Sequence, residues 1–151
     1  MALPLYLDRR PTGFTLLELC LVLSLLGVTW SVFLPAARQQ RDRLAVLGAR
    51  EEVLGLLHRT RAEAIARGGA ELRLWADPAR AAIVAGRDTL ARAELGEIHG
   101  VGLELPRGRS VSRLAYGSLG LGLVASHTIR LSRGEEEAVL VVSSLGRAVR
   151  R

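Results

Sequence analysis

The sequence predicts an α+β protein: a long N-terminal α-helix, transmembrane in its first half and amphipathic in its second, packed on a small antiparallel β-sheet head domain. Three observations carry this. An apolar run from Phe14 to Leu34 contains one charged residue, Glu18. An amphipathic stretch follows from Ala36 to Arg67 and stops at Gly68-Gly69. Beyond Gly69 the hydrophobic period changes from that of a helix to that of strands. The chain thus divides into a leader over 1–13, a membrane helix over 14–35, an amphipathic continuation over 36–67 and a β-rich head over 68–151.

The leader carries Arg9 and Arg10 and ends in Gly13. A secretory signal places its apolar region before the cut. Here a cut between Gly13 and Phe14 precedes the apolar run and leaves the helix on the mature chain. The 21 residues from Phe14 to Leu34 make about 30 Å of helix, the thickness of a bilayer core. A carboxylate in such a segment costs roughly 2.5–3.5 kcal/mol on insertion scales, so Glu18 reads as functional. Cys20 reads as an apolar filler. Pro35 lacks an N–H, and a kink or loosening is expected there. In the amphipathic half, Leu44, Leu47, Leu54, Leu57 and Ile65 recur at helical spacing and mark the expected buried stripe. Gly68-Gly69 is the stop.

In the head, Glu71 to Trp75 alternates polar and apolar, Asp77-Pro78 turns, and Ala81 to Ala85 returns as a strand. Gly102 to Leu105 and Ser112 to Tyr116 are weaker strands. Thr128 to Leu131 alternates, Arg133-Gly134-Glu135 turns, and Ala138 to Val142 is an apolar, largely β-branched run. Gly146 breaks the chain before a tail holding Arg147, Arg150 and Arg151. Short strands after a helix imply an antiparallel sheet wrapped against it.

Composition sets limits. The single cysteine rules out a disulfide within the chain. His58, His99 and His127 share no ligand spacing, so no metal and no cofactor is expected, and no catalytic constellation appears. Gly100-Val101-Gly102 and Gly120-Leu121-Gly122 lack the context of a dinucleotide loop and read as turns. All 21 basic residues are arginine. Beyond Pro35 there are 19 Arg against 13 Asp plus Glu, a formal +6. Such a head attracts polyanions without specifying a site. Glu135-Glu136-Glu137 reads as a solvated hairpin tip or as a dock for a basic partner. Arg107, Arg109 and Arg113 read as a solvated basic loop.

Gly13-Phe14-Thr15-Leu16-Leu17-Glu18-Leu19 resembles the processing motif of type IV pilins and type II secretion pseudopilins. The segment from Tyr116 to Arg151 resembles the head of the H-type minor pseudopilins of type II secretion and their FimT-like relatives in type IV pilus systems. The resemblance implies a non-enzymatic filament subunit. It implies cleavage after Gly13 by a prepilin peptidase, N-methylation of Phe14, and a Glu18 that neutralises the terminal amine of a neighbouring subunit. The implied partners are major and minor pilins or pseudopilins, an inner-membrane assembly platform and membrane lipid. A count of flanking arginines would place the C-terminus in the cytoplasm; the resemblance implies the opposite, leader inside and head outside. In FimT-like relatives a C-terminal Gly-Arg-x-Arg motif contacts DNA. Gly146-Arg147-Ala148-Val149-Arg150 has one residue more between its arginines, which on a strand changes the face of the second. DNA binding by Arg147, Arg150 and Arg151 is the alternative to simple solvation of the tail.

Overall fold

The computed structural model describes Gly13, residues 15–123 and residues 126–150, with Arg150 described by its backbone alone. One helix, α1, runs from Leu16 to Arg67 and continues through Pro35. The chain forms two compact units, one ending at Ala37 and one spanning Arg38–Arg151.

In the first unit, α1 is long and apolar enough to cross a membrane. Its large side chains face outward along its length, Leu16 at 81 % and Trp30 at 61 % exposure. Three hydroxyls that would be orphaned in hydrocarbon are turned onto helix carbonyls. Ser24 donates to Cys20 at 2.8 Å, Thr29 to Leu25 at 2.8 Å and Ser31 to Val28 at 2.7 Å. The segment therefore brings few unsatisfied polar groups to an apolar surrounding.

In the second unit, α1 packs on two four-stranded antiparallel sheets. The first has the order β3-β2-β1-β5 and the second β4-β6-β7-β8. Their strands are β1 (Gly69–Trp75), β2 (Arg80–Ala85), β3 (Asp88–Ala93), β4 (Gly102–Glu104), β5 (Val111–Gly117), β6 (His127–Arg133), β7 (Glu136–Val142) and β8 (Ala148–Arg150). A short helix, α2 (Leu95–His99), and a single 3-10 turn at Pro106–Gly108 bracket β4. One continuous core joins Val46, Ala49, Val53, Leu57 and Ala64 of α1 to Leu72, Leu74, Ile83 and Leu114 of the first sheet. It extends to Ile129, Leu131 and Leu140 of the second.

The α+β class and the helix-on-sheet architecture are those the sequence predicts. The buried helical stripe differs. Leu54 and Leu57 are buried, but Leu47 is only half-buried, and Leu44 and Ile65 are exposed at 59 % and 56 %. The buried face is Val46, Ala49, Val53, Leu54, Leu57, Thr60 and Ala64. These side chains are mostly small, which lets the strands approach the helix closely. Thr60 fits there because its hydroxyl donates to the Leu56 carbonyl at 2.7 Å. The head also holds two sheets where one was expected. β5 pairs back onto β1, and the chain then crosses to begin the β6–β7 hairpin. Three elements lack a sequence expectation: β3, α2 and β8. β3 and β8 are edge strands, and α2 has five residues, too few to show a period.

Candidate functional site

Two regions hold the residues singled out by sequence: the start of α1, and the end of the head where the tail returns. At the start, Gly13 is exposed and a side chain there would meet nothing. Phe14 and Arg151 lie outside the described residues. Thr15 is the N-cap of α1, its Oγ1 accepting the Glu18 backbone N–H at 3.2 Å. This is half of a capping box. The reciprocal bond from the Glu18 carboxylate is not made. Among the described residues that carboxylate has no partner, although it sits in the first helical turn where the dipole favours negative charge. Cys20 is exposed and free. Thr15 lacks a sequence expectation, and Thr-x-x-Glu before an apolar run is the local signal for it.

At the upstream end of the head, charged groups fix α1 to the strands. Arg133 pairs with Asp42 at 2.7 Å and also donates to the His99 carbonyl. His99 pairs with Glu52 at 2.7 Å. Gln39 donates to Glu136 at 3.3 Å, and Arg130 pairs with Glu137 at 3.1 Å. Two members of the acidic triplet are thus engaged within the head, and Glu135 lies exposed in the turn. His58 is exposed on α1.

At the other end, Tyr116 organises the tail. Its ring is 3 % exposed, and its hydroxyl donates to the Gly146 carbonyl at 3.1 Å. Burial raises the Tyr116 pKa above its ordinary value, and the Arg61 charge opposes this in part. Gly146 has φ +80, and any Cβ there would overlap the Tyr116 ring. A Cβ on Gly122 would lie 2.7 Å from the Gly146 backbone nitrogen. Both positions therefore require glycine. Beyond this crossing, β8 pairs with β7, with Arg150 opposite Leu140. Arg147 is exposed. It lines a cleft of about 210 Å³ with His58, Arg61 and Tyr116.

Set against known proteins, this architecture has a counterpart. The crystal structure of the type IV minor pilin FimU of Pseudomonas aeruginosa PAO1 superposes with a TM-score of 0.58, over 72 % of this chain and 90 % of that one. The chain has the pilin fold. Sequence identity over the match is 17 %, so the likeness is one of fold. No protein-family model and no curated sequence matches the chain. Within this pilin fold the described residues hold no group of three or more His, Cys, Asp or Glu able to bind a metal.

Proposed function

We propose that this chain is a minor pilin or pseudopilin, a structural rather than catalytic subunit. In this reading it is made with a leader over 1–13, cut after Gly13 by a prepilin peptidase and N-methylated at Phe14. It waits as a single-pass protein of the inner membrane with its head outside. An assembly platform then moves it from lipid into a periplasmic or surface filament with other major and minor pilins. The observation that carries the reading is the Glu18 carboxylate. It is unpartnered among the described residues and lies in the first turn of an exposed apolar helix that leads into a pilin-fold head. Cleavage would leave an amine on Phe14 inside the apolar layer. A carboxylate from a neighbouring subunit offsets the cost of that charge.

Glu18→Ala tests this cleanly. The cap uses the backbone N–H of Glu18, which Ala keeps, so the substitution removes the carboxylate and leaves the cap in place. The variant should insert in the membrane, mature to a Phe14 terminus by mass spectrometry, and fail to co-purify with the other subunits. Co-purification at the wild-type level would refute the role. Gly13→Val should leave the leader attached.

The fold is shared with a type IV minor pilin, and the filament in this reading is either a pilus or a type II secretion pseudopilus. Deletion scored for both pilus assembly and secretion decides between them. A second reading, DNA binding by Arg147, Arg150 and Arg151, is supported by the exposure of Arg147 beside Arg61 and His58. Replacing the three tail arginines with Gln should then abolish duplex retardation by the full chain.

A further inference from the structure

The outward face of the first sheet carries a row of arginines, two of which neither the fold nor the tail uses. Register places Arg92 of β3 beside Ala82 of β2, Ala82 beside Arg73 of β1, and Arg73 beside Arg113 of β5. The row crosses the whole sheet, about 14 Å at ordinary strand spacing. Arg73 and Arg113 are directly opposite each other, an arrangement that destabilises an antiparallel pair. Glu71 relieves it by contacting Arg73. Among the described residues Arg92 and Arg113 have no ion-pair partner, and both are exposed.

The neighbouring row adds flat surfaces. Trp75 of β1 faces Arg80 of β2, whose guanidinium lies 4.9 Å from the centre of the indole ring. The Arg80 Nε is buried without an acceptor. Together with Arg73, Arg92, Thr89 and Glu94 they border a cleft of about 220 Å³ floored by Ala82 and Val84. That is several times the ~30 Å³ share of a water molecule. Ala82 and Val84 point away from the helix, yet are only 5 % and 8 % exposed, because the long side chains around them cover them.

We propose that this sheet face binds single-stranded nucleic acid. Arg92, Arg73 and Arg113 track successive phosphates across the strands, and a base stacks in the cleft on the Trp75–Arg80 pair. An acidic protein segment would use the charges but leave the aromatic ring, guanidinium plane and apolar floor without a role. A duplex keeps its bases in the stack, whereas a single strand exposes them to such a platform. This surface is separate from the tail and does not depend on it.

The test uses the full chain in neutral detergent, with Trp30→Phe so that Trp75 is the one tryptophan. Oligothymidylate should quench Trp75 and bind with a log–log salt slope of about −2, three contacts at about −0.7 each. Arg92→Gln/Arg113→Gln should weaken binding about tenfold or more at low salt and bring the slope to about −0.7. An abasic strand should bind without quenching. The Arg147→Gln/Arg150→Gln/Arg151→Gln variant should quench as wild type does. The proposal is overturned if oligothymidylate leaves Trp75 unquenched, or if the sheet-face variant binds as tightly as wild type. It is also overturned if the tail variant loses as much binding as the sheet-face variant. Competition by polyglutamate as effective as that by oligothymidylate would assign the face to an acidic protein instead.

Discussion

Replacing Tyr116 by Phe deletes one hydroxyl and nothing else. That hydroxyl donates to the Gly146 carbonyl at 3.1 Å, from a side chain 3 % exposed. A buried hydrogen bond contributes about 1 kcal/mol net, and its loss also strands the carbonyl, so the variant should be about 1–2 kcal/mol less stable at neutral pH. The pH dependence is the sharper signal. Burial raises the folded-state pKa of Tyr116 above the 10.0 of a free tyrosine. Between those two values the folded chain holds a proton that the unfolded chain has released, so stability falls as pH rises. The contribution is whole below about pH 10 and is lost on the way to the folded pKa, at about 1.4 kcal/mol for each unit separating the two. The chain has no lysine, and arginine keeps its charge throughout. The other tyrosine, Tyr6, precedes the head in sequence. Urea unfolding of the full chain in neutral detergent, followed by circular dichroism from pH 7 to about 11.5, reads both effects. Wild type should lose stability above pH 10 while Tyr116→Phe stays nearly level, so the gap between them closes. A level wild-type curve, or a variant that falls in parallel with it, would refute the reasoning.

Gly146→Ala should cost at least about 2 kcal/mol, since it forces a left-handed φ on a residue with a Cβ and drives that Cβ into the Tyr116 ring; a thermal melt measures it. Ala64→Leu should cost about 1–3 kcal/mol by overpacking a site with no exposure, whereas Ala66→Leu, on the exposed side, should stay within about 0.5 kcal/mol of wild type. Arg133→Ala should lose about 1–2 kcal/mol with its Asp42 and His99 contacts. It should also speed hydrogen exchange in α2; unchanged exchange there would show that Arg133 does not hold α2.

What was legible in the sequence was whatever expressed itself through local period. Glu71 to Trp75 alternates in sequence, and β1 alternates in burial. The same holds for β6, whereas β7 alternates in burial although Ala138 to Val142 is apolar throughout. Gly68, at φ +82, ends the helix where the sequence places the stop. The buried face of the helix is where local period stops being informative. Leu44 and Ile65 have the right spacing and hydrophobicity, but position against the sheets is decided by size. Ala49 and Ala64 are fully buried because a larger side chain would hold the strands off. β2 lies where the sequence places a returning strand, at Ala81 to Ala85, but its burial on both faces is not a matter of period. Its residues 81–85 are all buried, and the cover on its outer face comes from Trp75 and Arg80, a contact set by register. The Tyr116–Gly146 bond spans 30 residues, so the glycine of the tail motif read as a chain break. In the fold it is the seat of a buried ring. At the N-terminus the reverse holds: the Thr15 cap is written locally, in its spacing to Glu18.

The two stretches of α1 obey different packing rules, and this accounts for where the proline lies. In an apolar surrounding, large aliphatic side chains along the first stretch gain nothing by turning toward one face, and they stay exposed all round. In the head, water drives burial, and the second stretch sorts its residues onto one small-residue face. A proline inside either stretch would remove a backbone bond that its unit relies on, at about 3 kcal/mol. Pro35 sits just before the point where the compact head begins, at Arg38. The N–H it lacks would have met the carbonyl of Ser31, on the apolar side of that boundary. The missing bond therefore falls at the junction, where neither the small-residue face nor the strands packed on it depend on an unbroken ladder.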